Sequence, residues 1–187
     1  MAAPHSPDGD AIQRLASMYM FKTVPRASLS ALLEEAPPVV YAAGHVIFRQ
    51  GDTASIALLV LEGELVAEVQ GPKGPHKLGT SGPGEIVGEQ GIFVPGGLRS
   101  ATVTASRPTV CLVLEPELMD QAAHNPAVVA MEQHLLGTLA RRIRRTNQAI
   151  QHVWKAGTPA ADPATGDAAP TRVAALRSWF SGIFGGD

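Results

Sequence analysis

Hydrophobic positions along this chain change their period twice. Near the start, Ile12, Leu15, Ala16 and Tyr19 recur at helical spacing. Leu29, Leu32 and Leu33 do the same within Ser28 to Ala36, where Pro37-Pro38 stops the pattern. From Val39 to Leu114 the runs become short and β-rich: Val46-Ile47-Phe48, Ile56 to Leu61, Leu65 to Val69, Ala101 to Ala105 and Thr109 to Leu114. Turns at Gly44, Gly51-Asp52, Glu62-Gly63, Gly71 to Gly74, Gly82 to Gly84 and Gly96-Gly97 separate them. Short runs punctuated about every 8 to 12 residues predict an antiparallel barrel or jelly roll, with the barrel at about 39 to 114. The helical period then returns. Pro116 suits the first turn of a helix over Glu117 to His124, and Asn125-Pro126 caps and starts a long helix reaching about Trp154.

That last helix carries a second pattern. Leu136, Leu139, Ile143, Thr146, Ile150 and Val153 follow alternating spacings of three and four, the a/d seam of a coiled coil. Two chains pairing along it is the expectation; the alternative is a seam that packs only on the chain's own barrel. Thr146 is the polar member, of the kind that sets register. Arg141, Arg142, Arg144, Arg145 and Lys155 stand against Glu132 alone on this helix, outside the a/d positions. They form a solvated face or meet an acidic partner.

The ends read differently. Residues 1 to 10, rich in Pro, Gly, Ser and Asp, are expected to be disordered, with Asp10 capping the first helix. Residues 156 to 170 form a Pro/Ala-rich linker. In the tail from 171 to 187, Val173, Leu176, Phe180 and Ile183 share one helical face, flanked by Trp179 and Phe184. A helix of about 14 residues is marginal alone in water, so this face should order on binding. Its partner is the chain's own barrel, another protein as a helix-in-groove peptide, or a membrane surface.

Composition narrows the class. The 187 residues suit one domain with appendages, and 45% hydrophobic content supports a real core. A net charge of −2 argues against a chain built mainly for nucleic acid. Cys111 stands alone in an apolar run and reads as a buried small hydrophobe. The N-terminus has neither a positive n-region nor an apolar h-region, and no apolar run approaches the roughly 20 residues that span a bilayer, so a cytoplasmic location is expected. His5, His45, His76, His124, His134 and His152 form no close ligand pair, and no Walker loop, nucleophile elbow or Rossmann fingerprint occurs. Neither a metal site nor catalysis is expected.

The candidate chemistry lies in residues 84 to 105. Glycines bracket a short segment from Gly88 to Phe93, a Pro95-Gly96-Gly97 turn comes next, and Arg99-Ser100-Ala101 opens a strand. Backbone N–H groups exposed beside small residues carry partial positive charge and let an anion approach. Arg99 adds a guanidinium fork that can bond two oxygens of one phosphodiester, and Ser100 adds a hydroxyl. A carboxylate at Glu89 would repel a phosphate, so Glu89 should face another part of the ligand, such as a ribose hydroxyl.

Gly84-Glu85-Ile86-Val87-Gly88-Glu89, with Arg99-Ser100-Ala101 beginning ten positions after Glu89, resembles the phosphate-binding cassette of cyclic nucleotide-binding domains. The likeness is greatest to the sensory domain of the catabolite activator protein (Crp/Fnr-like) family and covers about residues 11 to 155. It implies an α+β, mainly β fold: a jelly-roll barrel with two short N-terminal helices, the cassette and a long C-terminal dimerisation-type helix. It implies that Glu89 holds the ribose, Arg99 and Ser100 the phosphate, and Gly88 and Ala101 backbone contacts. Glu85 replaces the family's frequent Asp. Thr146 matches a threonine that reaches the adenine from the long helix, while Asn147 departs from the neighbouring serine. In that family a helix-turn-helix domain comes after the long helix; the 32 residues after Lys155 fit no recognition helix, so no DNA binding is expected. The implied function is a stand-alone sensor for cAMP, with cGMP possible, that signals as a homodimer through its long helix and tail to a protein partner. The alternative is an assembly scaffold whose cassette has lost its ligand.

Overall fold

The computed structural model describes residues 7–72, 74–94, 96–120 and 124–156. The chain divides into one unit up to Arg141 and a second from Arg142. In the first, helix α1 (Pro7–Ser17), a 3-10 turn (Tyr19–Phe21) and α2 (Arg26–Glu35) precede eight strands. These are β1 (Pro38–Tyr41), β2 (Val46–Phe48), β3 (Ala57–Glu62), β4 (Leu65–Gly71), β5 (Gly74–Ser81), β6 (Ile86–Val87), β7 (Thr102–Ala105) and β8 (Thr109–Leu114). The short helix α3 (Gln90–Phe93) lies between β6 and β7, and α4 (Pro116–Asp120) and α5 (Pro126–Ala156) come after β8.

All strand pairs are antiparallel and form two four-stranded sheets, β1-β8-β3-β6 and β2-β7-β4-β5. Strand β3 shows why the sheets stack as they do. Its residues Ala57 to Leu61 are all buried. Side chains alternate faces along a strand, and both faces of β3 are covered. Leu58 and Val60 enter a core shared with Phe48, Leu65, Val103, Ala105 and Cys111, which are drawn from both sheets. Ala57, Leu59 and Leu61 enter a second core with Leu15, Phe21, Leu29, Leu32, Val128 and Met131 of the helical elements. β8 divides the same way, with Cys111 inside the sandwich and Leu112 and Leu114 under the helices. This is the jelly-roll architecture the resemblance implied. Each fully buried Leu contributes about 1.5–3 kcal/mol relative to exposure.

The start of α5 is fixed locally. Asn125 Oδ1 accepts from the Ala127 N–H at 2.9 Å, and its amide donates to the Ser28 carbonyl at 3.3 Å. The cap thus sets the helix start and ties it to α2, while Pro126 begins the helix without needing an N–H partner. Ala127, Val128, Met131 and Leu135 are buried, whereas Leu136 and Ile143 stay 65% and 62% exposed. The seam is therefore not used up by the chain's own core. In the second unit the residues from Arg142 to Ala149 are exposed and Ile150 is half-buried.

Several expectations need correction. α1 begins at Pro7, inside the stretch expected to be disordered, and Asp10 lies within it, accepting from Arg14 at 2.8 Å instead of capping. Tyr19 leaves the apolar face for the 3-10 turn and is 83% exposed. α4 is described over Pro116–Asp120, residues 121–123 lie outside the described residues, and His124, expected in the helix, is a turn residue. The side chain of Val153, and Val173, Leu176, Trp179, Phe180, Ile183 and Phe184 of the tail, lie outside the described residues.

Candidate ligand-binding site

The cassette is held in place by the loop between β2 and β3. Arg99 N–H donates to the Asp52 carbonyl at 2.8 Å, Gly51 N–H to the Arg99 carbonyl at 2.9 Å, and Ala54 N–H to the Gly97 carbonyl at 2.8 Å. A bridge between Thr53 and Leu98 lies within this ladder. The backbone of Arg99 is thus clamped just before β7 begins.

The Arg99 side chain is 7% exposed. Nη1 donates to the Ile56 carbonyl at 2.8 Å and to the Gly88 carbonyl at 3.3 Å. The guanidinium carbon stands 3.5 Å from the Phe48 ring centroid, a cation–π contact. Both hydrogen bonds leave from one nitrogen, so among the described residues Nη2 and Nε keep their N–H groups for oxygens of a ligand. Burial pulls the pKa of Arg99 below the usual arginine range, with the charge of Asp52 opposing. A cation stripped of water is costly, and an anion of the right shape offsets that cost.

Gly88 makes this placement possible. Its φ of +82° suits glycine, and a Cβ there would lie 2.7 Å from Arg99 Nη1 and 2.8 Å from Phe48 Cε2. At Gly91 a Cβ would come within 2.9 Å of the Ile56 carbonyl oxygen, the same atom that receives Arg99.

Glu89 sits next to Gly88 at the head of α3 and is 7% exposed. Ser100 is exposed and Ala101 is buried beside it. Among the described residues neither the Ser100 nor the Ala101 N–H donates to a backbone carbonyl, which leaves two adjacent amide donors next to the guanidinium. Glu85 is structural, since its carboxylate accepts from the Gly82 N–H at 2.8 Å and closes the turn before β6. Arg99 touches Gly88, and Glu89, Ser100 and Ala101 are the chain neighbours of that pair. Thr146 and Asn147 belong to the second unit, where both are exposed.

Sequence reasoning missed Phe48, Ile56 and Asp52. Phe48 appeared only as an apolar strand residue, and a carbonyl that receives a guanidinium leaves no mark in the sequence. Among the described residues no group of three His, Cys, Asp or Glu could hold a metal ion. None of the described helices is long and apolar enough to cross a membrane.

Comparison with known proteins covers the stretch that holds the cassette. Residues 38–125 match the family model of the cyclic nucleotide-binding domain. The CRP-like cAMP-activated global transcriptional regulator of Mycobacterium tuberculosis is 30% identical over 134 residues, 71% of this chain and 58% of that protein. This chain therefore spans under two thirds of that relative's length. Among solved structures, the catabolite activator protein of Thermus thermophilus superposes with a TM-score of 0.62 at 27% identity, covering 72% of this chain and 62% of that one. The N-terminal domain of a transcriptional regulator from Streptomyces coelicolor gives 0.55 at 30% identity, covering 73% and 96%.

Proposed function

Since the chain belongs to the cyclic nucleotide-binding domain family, we propose that it is a sensor for cAMP that passes ligand binding through α5 to a second copy of itself and to a protein partner. It is a binding module, and the nucleotide leaves it unchanged. The observation that carries the reading is Arg99: a buried guanidinium over Phe48, bonded from one nitrogen to two carbonyls, beside the N–H groups of Ser100 and Ala101.

Arg99 and these amides take the cyclic phosphate. Glu89 accepts from the ribose 2′-hydroxyl, which separates ribonucleotides from deoxyribonucleotides. Thr146, with Asn147, supplies the contact to the purine. The relative named cAMP-activated favours adenine over guanine. Exposed Leu136 and Ile143 favour pairing of two chains along α5. The tail residues Val173, Leu176, Trp179, Phe180, Ile183 and Phe184 are the surface offered to the partner. Coupling requires only that the ligand favour one arrangement, and a preference of about 1.4 kcal/mol shifts the ratio tenfold.

Calorimetric titration with cAMP, cGMP and a cyclic dinucleotide tests the reading. Saturable binding of cAMP, abolished by Arg99→Leu, supports it. Heat unchanged by Arg99→Leu would sink the phosphate assignment. No binding of any of the three would favour a scaffold, to which the engagement of Arg99 Nη1 by two carbonyls lends some support.

A further inference from the structure

A cleft of about 450 Å³ opens between the 3-10 turn and the first half of α5, and it shares no lining residue with the cassette. One wall carries Tyr19, Lys22 and Thr23; the other carries Gln133, His134 and Arg141. We propose that this cleft is a second binding site, for a small phosphate ester that bridges Lys22 and Arg141.

The charges argue for an anion. Among the described residues no Asp or Glu lines the cleft. The ammonium of Lys22 stands 5.2 Å from the centroid of the Tyr19 ring, whose exposed face holds it at the mouth. Arg141 spends one nitrogen on Thr138 Oγ1 at 2.9 Å, and among the described residues the rest of its fork remains for a ligand. Burial and the charge of Arg141 push the His134 pKa down, while Glu85 pushes it up. Its imidazole is then a neutral partner able to donate or accept. The Glu85 carboxylate is itself engaged by the Gly82 N–H.

The chemistry favours phosphate over a single carboxylate. A phosphate monoester carries a charge of about −1.5 to −2 at neutral pH, enough to answer two cations on facing walls, and Arg141 can bind two of its oxygens at once. The volume lies within the range of about 300–1,000 Å³ typical of small-molecule sites. Since Lys22 lies just past the N-terminal turn and Arg141 lies on α5, an ester held by both fastens these elements together. The element proposed to carry the cyclic nucleotide signal would then answer to a second metabolite, yet the site itself does not depend on that proposal.

The test is calorimetric titration of the full chain with inorganic pyrophosphate, in the wild type and in Arg99→Leu so that the cassette makes no contribution. Saturable binding is expected in both. Lys22→Ala and Arg141→Ala should each weaken it at least tenfold, and Lys77→Ala, on the exposed edge strand β5, should leave it unchanged. Lys22 and Arg141 are exposed, and melting temperatures of the variants check that they fold. Amide shifts of Gly137 and His134 on titration give an independent readout. Absence of saturable binding at millimolar pyrophosphate overturns the proposal, as does binding lost in Arg99→Leu but kept in the Lys22 and Arg141 variants. Binding of a hexaglutamate peptide in place of pyrophosphate also overturns it and marks a protein-docking surface instead.

Discussion

The guanidinium carbon of Arg99 lies 3.5 Å from the centroid of the Phe48 ring, so an aromatic face on β2 backs the cation of the cassette. Phe48→Leu keeps most of the apolar volume and removes the π face. A cation–π contact is worth about 0.5–2 kcal/mol, so the cyclic nucleotide dissociation constant should rise about 2- to 30-fold. Volume-conserving swaps usually cost under about 1.5 kcal/mol of stability. Calorimetry and thermal melts on one preparation separate the two effects, and an unchanged dissociation constant would show that Phe48 only fills space.

Gly88 and Gly63 make a matched pair. Both have positive φ, +82° and +94°, and at both a Cβ collides with neighbours. At Gly88 the neighbours are Arg99 and Phe48, whereas at Gly63 they include the Pro108 carbonyl oxygen at 2.6 Å. The left-handed conformation alone costs an L-residue about 1–2 kcal/mol. Gly88→Ala should lower the melting temperature and abolish nucleotide binding. Gly63→Ala should lower the melting temperature at least as much while the folded fraction binds as before.

Cys111 is fully buried between the sheets, and burial pushes its thiol pKa up to about 12 from 9.0. Below pH 9 the thiol is neutral both folded and unfolded. Between about pH 9 and 12 the unfolded chain releases this proton and the folded one holds it. Stability therefore falls as pH rises, by up to about 1.4 kcal/mol per pH unit from this group. Denaturant unfolding from pH 8 to 11 should show a slope in the wild type that is shallower in Cys111→Val. A thiol reagent should label Cys111 only on unfolding.

Leu136 and Ile143 are exposed on α5, about five turns of which carry the whole seam. Charging both, as Leu136→Glu with Ile143→Glu, should convert a dimer to a monomer in sedimentation equilibrium. The melting temperature of the barrel should fall little, because Ala127, Val128, Met131 and Leu135 make the contacts to the core. A wild-type chain that sediments as a monomer would remove the basis for signalling through paired α5 helices.

How much was legible depends on the part each residue plays. β2 and β8 lie where the apolar runs placed them, at Val46–Phe48 and Thr109–Leu114, because burial wrote itself into those side chains. β5 was invisible: Gly74–Ser81 is an edge strand with its interior positions exposed, held by its ladder to β4, and a backbone ladder selects no side-chain pattern. β6 has only two residues, too few for a period. In the site, Gly88, Glu89, Arg99 and Ser100 were readable because their chemistry is local to one segment. Phe48 and Ile56 come from distant parts of the chain, and only the closed sheets bring them to Arg99.

Arg99 reaches the Ile56 carbonyl across 43 residues of sequence. A pocket assembled from such separated parts does not exist in the unfolded chain, so a nucleotide that needs it binds the native state alone. At 100 times its dissociation constant such a ligand adds about 2.7 kcal/mol to stability, shrinking the unfolded fraction about 100-fold. Unfolded chains are the ones that proteases remove. The second messenger would then set how long the protein survives in the cell as well as what it does there.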